Sequence, residues 1–290
     1  MTPFFLSYKD RVEARLDELL SDHNVPQPLY DAMRYSALGG GKRIRGTLLT
    51  GITELFGGDM DTALDFACAV EMIHAYSLIH DDLPGMDDDV LRRGKPTNHV
   101  VYGVGQAILA GDGLLNTACE VLMRRIIKTG GTAAEAANEV MKGAGTCGMI
   151  GGQCMDLDNE KNPEANDEIL RSIHYGKTAC MFIYPIRASL LLCGRRDLLE
   201  CGSSFGEAFG RMFQMTDDLL DIRGSAEKLG KSVGKDSDSG KLTFCSLYGV
   251  EKATEMTQAE YEKAIRAAKG LDKAANYLIE LTEKVYTREN

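Results

Sequence analysis

The sequence predicts an all-α protein: a single domain over residues 1–290, built as a bundle of about ten or more helices around a central substrate cavity. Three observations carry this expectation. Apolar residues recur at helical spacing almost from end to end, no stretch sustains the alternation of a strand, and no linker, low-complexity tract or solenoid-length repeat interrupts the pattern. Val12, Leu16, Leu19 and Leu20 form the first stripe, and further helices are expected near 28–37 and 43–56. A long segment entered at Asp59 or Asp61 carries Leu64, Ala67, Cys68 and Glu71 to Leu78 straight into Asp81. The remaining helices are expected near 104–128, 132–147, 166–192, 204–222, 241–249 and 254–286, with Gly, Asn or Pro at most junctions. In such bundles, facing helices build metal and ligand sites in the interior.

Composition narrows the partners. A formal net charge of −10 disfavours nucleic acid and anionic membrane surfaces. No run of about 18 apolar residues is evident and the N-terminus lacks the pattern of a secretory leader, so membrane insertion is not expected and a cytoplasmic location is. The eight cysteines include no Cys-x-x-Cys pair and read as reduced thiols rather than disulfides or zinc ligands.

Two aspartate clusters stand out: Asp81-Asp82-Leu-Pro-Gly-Met-Asp87-Asp88-Asp89 and Asp217-Asp218-Leu-Leu-Asp221. Carboxylates crowded this closely repel one another, and a hard divalent cation relieves the repulsion while keeping positions for water and phosphate oxygens. A magnesium-diphosphate site is the first reading. Asp217 and Asp221, four apart, share a helix face with Asp218 beside them. Asp81 and Asp87, six apart, would point away from each other on a helix, so the chain must loosen at Pro84 and Gly85. Either cluster alone would read as solvated surface, but Ala75–Ile79 and Phe209–Met215 are mostly apolar, so both emerge from buried helices. Basic residues in Gly41-Lys42-Arg43-Ile44-Arg45, in Leu91-Arg92-Arg93-Gly94-Lys95-Pro96 and at Lys231, Lys235 and Lys241 supply the local positive charge an anionic substrate needs.

In order along nearly the whole chain come Gly39-Gly40-Gly41-Lys42-Arg43-Ile44-Arg45, His74 to Asp82, Leu91 to Thr97, Gly151-Gly152-Gln153, Lys177-Thr178, Phe213-Gln214 before Asp217 to Asp221, and Lys241-Leu242-Thr243. With these motifs the sequence resembles the trans-isoprenyl diphosphate synthases, of the short-chain bacterial type represented by farnesyl and geranylgeranyl diphosphate synthases. The resemblance implies head-to-tail prenyl transfer. An allylic diphosphate (dimethylallyl or geranyl) loses pyrophosphate, the double bond of isopentenyl diphosphate attacks the cation, and a proton leaves to the departing pyrophosphate. Magnesium, three ions once diphosphate is bound, would be held by Asp81, Asp82 and Asp87 on one side and Asp217, Asp218 and Asp221 on the other. Arg92, Lys177, Lys241 and Lys231 would add fixed positive charge, and the oxygens around Lys177-Thr178 and of Gln214 would face the allylic cation. Lys42, Arg45, His74 and Arg93 would hold isopentenyl diphosphate without metal.

The resemblance also implies a homodimer and places the floor of the elongation cavity at Tyr76 and Ser77. Tyr76, five residues before Asp81, lies a little over one turn below it at about 1.5 Å per residue, which favours a C15 product, farnesyl diphosphate. The small Ser77 argues against C10, and the C20 geranylgeranyl diphosphate is the alternative. Two departures from the family pattern are Gly46, where proline is usual, and Ala179, where glycine is. Rival classes explain less. His80-Asp81 is the signature of HD-type metal phosphohydrolases, but that reading leaves the second cluster without a role. Terpene cyclases mix Asn, Ser and Glu in their second motif, and a prenyl-binding protein would need no metal clusters.

Overall fold

The computed structural model describes residues 3–160, 162, 164, 166–223 and 242–288. It is the expected helical bundle, with helices α1 (Pro3–Leu19), α2 (Gln27–Ala37), α3 (Ile44–Leu55) and α4 (Met60–Asp81) in the first third. A two-residue antiparallel ribbon, Leu91–Arg92 with Lys95–Pro96, then leads to α5 (Asn98–Tyr102), α6 (Val104–Thr129), α7 (Gly131–Ala144) and α8 (Met149–Asp158). The last third is α9 (Asp167–His174), a π-helical turn at Tyr175–Ala179, α10 (Cys180–Leu192), α11 (Leu199–Arg223), α12 (Phe244–Lys269) and α13 (Ala275–Tyr286).

Helix α4 is the axis of the bundle. Asp59 caps it by accepting from the Thr62 amide at 3.0 Å, and apolar residues from Phe66 to Ile79 bury it on all sides. Its length and composition would suffice to cross a membrane, but here it is a protein core helix, enclosed by α1, α2, α3, α6 and α10. Two buried carboxylates on α4 pin its neighbours. Asp65 takes Arg15 of α1 at 2.7 Å and Arg125 of α6, while Glu71 takes the Gly46 amide of α3 at 2.8 Å and faces Arg43 at 3.6 Å. Buried charges of this kind hold only when paired, so they fix the register between helices. Gly46 is therefore explained: its free N–H serves Glu71, a bond that proline could not make.

A second core forms where α3, α10, α11 and α13 meet, with Phe182, Phe205 and Phe209 fully buried and Phe209 in ring contact with each of the other two. The expected helix over 166–192 is present but broken by the π turn, and Pro185 is accommodated within α10. The glycine-rich stretch around 148–152, not expected to be helical, forms α8. Its glycines serve contact: a Cβ on Gly152 would collide with the backbone of Gly176 and Lys177. The expected break between 249 and 254 is a kink at Gly249 (φ 76°, ψ 163°) inside α12. The helix expected over 254–286 is instead interrupted at Gly270 and the short 3₁₀ turn Asp272–Ala274.

Candidate active site

Helix α4 delivers Asp81 at its last turn, and the chain then folds back as the sequence required. The Met86 amide donates to the Leu83 carbonyl at 2.8 Å and the Asp87 amide to the Asp81 carbonyl at 2.9 Å, with Asp88 in the left-handed region, so residues 81 and 87 become neighbours. The cavity beside them measures about 850 Å³. Asp81, Arg92, Arg93, Lys177, Arg45 and Asp217 give it a charged lining, and Tyr76, Met149, Leu157 and Met181 give it an apolar one. A similar cavity on the outer side of α8 lacks these clusters, and its cations are already engaged, Arg171 by Asp167 at 2.5 Å and Arg211 by Glu207 at 2.8 Å.

On the α4 side, the guanidinium of Arg92 forks onto both oxygens of Asp82, with Nε at 2.8 and 3.0 Å. Asp82 is buried, and burial raises its pKa despite Arg92, with Asp89 and Asp87 pushing it further up. The cluster is thus over-supplied with negative charge. Asp81 faces the ammonium of Lys177 at 3.9 Å, and Lys177 is held in turn by Asp156 of α8 at 2.6 Å.

On the α11 side, Asp217 lines the cavity and accepts from Arg288 at 2.8 Å, whereas Asp218 and Asp221 are buried. A polar relay runs from the π turn into this helix. The hydroxyl of Thr178 donates to the Gln214 carbonyl oxygen at 2.9 Å, and the Gln214 amide donates to Asp218 at 3.0 Å. The π turn matters because it inserts the extra residue that aims Lys177 at one aspartate cluster and Thr178 at the other.

The basic pocket lies between α3, α4 and the β-ribbon. Arg45 approaches His74 Nε2 at 3.4 Å and stacks 4.5 Å over the Phe182 ring. Burial draws the Arg45 guanidinium down to about 10 and holds the His74 imidazole well below its ordinary range, helped by Arg45, Arg93, Arg92 and Arg43. Burial also lowers Arg93 and Lys42, with Arg43 and Arg92 adding to the first and Arg288 to the second. Arg93 lies against Gly41, where φ is +132° and a Cβ would sit 2.8 Å from the guanidinium. Cations that depress one another in a partly desolvated pocket are relieved by an anion, and a diphosphate has the charge to do it.

The sequence match to the polyprenyl synthetase family runs over residues 26–282. The chain belongs to that family. It is 38% identical to farnesyl diphosphate synthase of Bacillus subtilis (strain 168), covering 100% of this chain and 99% of that one. It is 40% identical to geranylgeranyl diphosphate synthase of Cyanophora paradoxa, over 97% and 94% of the two chains. The crystal structure of a geranyltransferase from Helicobacter pylori complexed with magnesium and isoprenyl diphosphate superposes with a TM-score of 0.84 at 30% identity, covering 98% of this chain and 97% of that one.

Against this polyprenyl synthetase frame, most of the residues expected at the site separate into three groups, while the half-buried Asp87 and the exposed Lys42 are not part of the cavity lining. Arg45, His74, Tyr76, Ser77, Asp81, Arg92, Arg93, Lys177, Thr178, Gln214 and Asp217 line one cavity. Asp82, Asp218 and Asp221 lie behind its wall. Lys231, Lys235 and Lys241 fall outside the described residues. Among the described residues no three acidic, histidine or cysteine side chains close into a ready-made metal cage. Sequence reasoning missed three residues. Asp156 sits three residues past the quoted Gly151-Gly152-Gln153, a spacing that returns to nearly the same helix face. Gln153 lines the cavity with both amide atoms buried and without a partner among the described residues. Arg288, near the end of the chain, carries no sequence signal at all.

Proposed function

We propose that the protein condenses isopentenyl diphosphate with dimethylallyl and geranyl diphosphates in a magnesium-dependent head-to-tail reaction, releasing pyrophosphate and ending at farnesyl diphosphate. Prenyl transfer follows from family membership; the ion, the substrates and the chain length are the proposal. The observation that carries it is one cavity lined by an aspartate from each cluster, by the basic residues Arg45 and Arg93 with His74, and by the aromatic Tyr76.

The donor set fits magnesium. All the candidates are hard carboxylate oxygens, those around Asp82 carry more negative charge than Arg92 offsets, and an incomplete protein cage suits an ion that keeps waters and phosphate oxygens in its shell. Asp81, Asp87 and Asp217 would hold it, with Asp82, Asp218 and Asp221 supporting them from behind, and three ions per site is the count we carry. When bound, magnesium supplies Lewis-acid stabilisation of the leaving pyrophosphate. The chain does the rest. Lys177, steadied by Asp156, and Arg92, steadied by Asp82, present fixed positive charge to the same oxygens, and Lys231 and Lys241 join them by resemblance. Thr178 and Gln214, polar and uncharged, face the allylic carbon and stabilise positive charge without trapping it. Lys42, Arg45, His74 and Arg93 orient isopentenyl diphosphate, and the apolar part of the lining shields the cation from water.

Tyr76 is 6% exposed and contributes to the cavity lining, which supports C15. The geranylgeranyl alternative rests on the small Ser77 in the same lining and on the Cyanophora relative. The hydrolase reading finds no support, since the family match and the relatives are synthases. The proposal includes a homodimer. Val100, Val101, Val104, Ile108 and Leu109 of α5 and α6 are between 41% and 52% exposed, an apolar face suited to a second copy, and sedimentation at twice the monomer mass is the expected result. Eight free cysteines suit a reducing, cytoplasmic setting.

Mass spectrometry of the products from isopentenyl diphosphate, dimethylallyl diphosphate and magnesium, with a chelated control, tests the proposal. A magnesium-dependent C15 diphosphate is expected. A C20 product would keep the reaction and refute the Tyr76 floor, and no condensation product would refute the proposal.

A further inference from the structure

We infer that His80 is a positioning residue that holds Tyr76 across the elongation cavity, so that helix α6, through Gly111, sets product length. The inference rests on the reading of Tyr76 as the cavity floor and names what keeps that floor in place. Among the described residues Tyr76 has no polar tether of its own, because its hydroxyl is buried without a hydrogen-bond partner there. Its ring position is therefore set by packing. One turn along the same helix face, the imidazole of His80 meets the Tyr76 ring edge-on, with centroids 5.8 Å apart and planes at 76°. His80, unlike Tyr76, is anchored: its Nε2–H donates to the Ile108 carbonyl of α6 at 3.1 Å, with Asp112 at 4.0 Å.

That anchor depends on a missing side chain. A Cβ on Gly111 would fall inside the His80 ring, so only glycine lets the imidazole seat on α6. Gly111 belongs to the run of small residues, with Ala107, Ala110 and Ala118, on which α4 packs. Tyr76 and His80 both line the cavity, so a growing chain that presses on Tyr76 presses on a ring already held from the side by α6. Two helices thus determine the depth, although only one carries the aromatic floor.

Product ratios of four full-length variants test this: His80→Ala, Gly111→Ala, the double variant, and Tyr76→Ala as reference. His80→Ala and Gly111→Ala should each raise the C20 to C15 ratio about five- to tenfold, the loss of roughly one such ring contact. The double variant should not exceed His80→Ala, because the added methyl meets no ring once the imidazole is gone. The Michaelis constant for isopentenyl diphosphate should stay within about twofold, since the basic pocket is untouched. If Gly111→Ala does not fold, His80→Ala decides alone. Unchanged ratios in the His80 and Gly111 variants beside a longer product from Tyr76→Ala would overturn the positioning role and leave the floor. An unchanged product from Tyr76→Ala would instead remove the floor on which the inference rests.

Discussion

The two aspartate clusters read alike in sequence and differ in the fold. On α4, Asp82 is buried under the fork of Arg92 while Asp81 looks into the cavity, so neighbouring carboxylates divide into one that holds a cation of the protein and one that faces the cavity. On α11, Asp218 is buried beneath Gln214, and the cavity-facing Asp217 is itself held by Arg288. Asp81 of the first cluster stands 3.9 Å from the Lys177 ammonium, and Asp217 of the second is in a 2.8 Å ion pair with Arg288. The difference teaches that motif membership does not assign a role: position relative to the wall of the cavity does.

The sharpest way to break this comparison is to separate the adjacent aspartates of the first cluster. Asp81→Ala should lower kcat/KM by about 10³-fold or more with the melting temperature nearly unchanged, because it removes charge stabilisation at the leaving group and little packing. Asp82→Ala should lose activity and also destabilise the fold by about 1 kcal/mol, since the half-buried Arg92 is left without its partner. Thermal unfolding beside steady-state kinetics reads both. Equal melting temperatures for the two variants would erase the proposed division.

The second cluster tests the same idea through Arg288. Asp217→Ala should cost about 10²- to 10³-fold in kcat. Arg288→Ala should strengthen magnesium binding several-fold in calorimetry without substrate, because the ion no longer competes with a guanidinium for the same carboxylate. Unchanged metal affinity would show that the ion pair does not compete. A smaller effect belongs to Gln214→Leu, which breaks the link from Thr178 to Asp218. About tenfold in kcat is expected with the Michaelis constants preserved, and a purely raised Michaelis constant would place Gln214 in ground-state binding instead.

Much of this was legible in the sequence because it depends on local period and local chemistry. The helix into Asp81 and the loosening at Pro84 and Gly85 follow from spacing and charge alone, whereas the convergence of Arg45 with His74 was expected only from the resemblance to a known family. Helix α8 was not legible: glycines at 148, 151 and 152 normally mark a turn, and only the approach of the π turn explains why they stand in a helix. The π turn itself leaves no trace in periodicity, since one inserted residue is absorbed within a continuous apolar pattern. Arg288 was invisible for a different reason. Its role is set by where the last helix delivers the chain, a tertiary fact that no neighbouring residue encodes.

The basic pocket gives the smallest of these effects and isolates a single proton. In the folded chain His74 is held well below 6.5, first by burial and then by Arg45 and the neighbouring arginines, while in the unfolded chain it titrates near its ordinary value. Below pH 6.5 the unfolded state therefore binds a proton that the folded state refuses. Stability should fall as pH drops through that value, by at most about 1.4 kcal/mol per pH unit, and His74 should contribute nothing to the slope at higher pH. His74→Gln removes the titration while keeping a donor near Arg45, so its melting temperature should depend less on pH between 7 and 5 than that of the parent. Added pyrophosphate sharpens the contrast. An anion in the pocket offsets the arginine charges that help to keep the imidazole neutral, and should thereby reduce the loss on acidification in the parent but not in His74→Gln. The same slope in both proteins would mean that His74 is not the group that resists the proton, and that the pocket's positive charge is compensated before any diphosphate arrives.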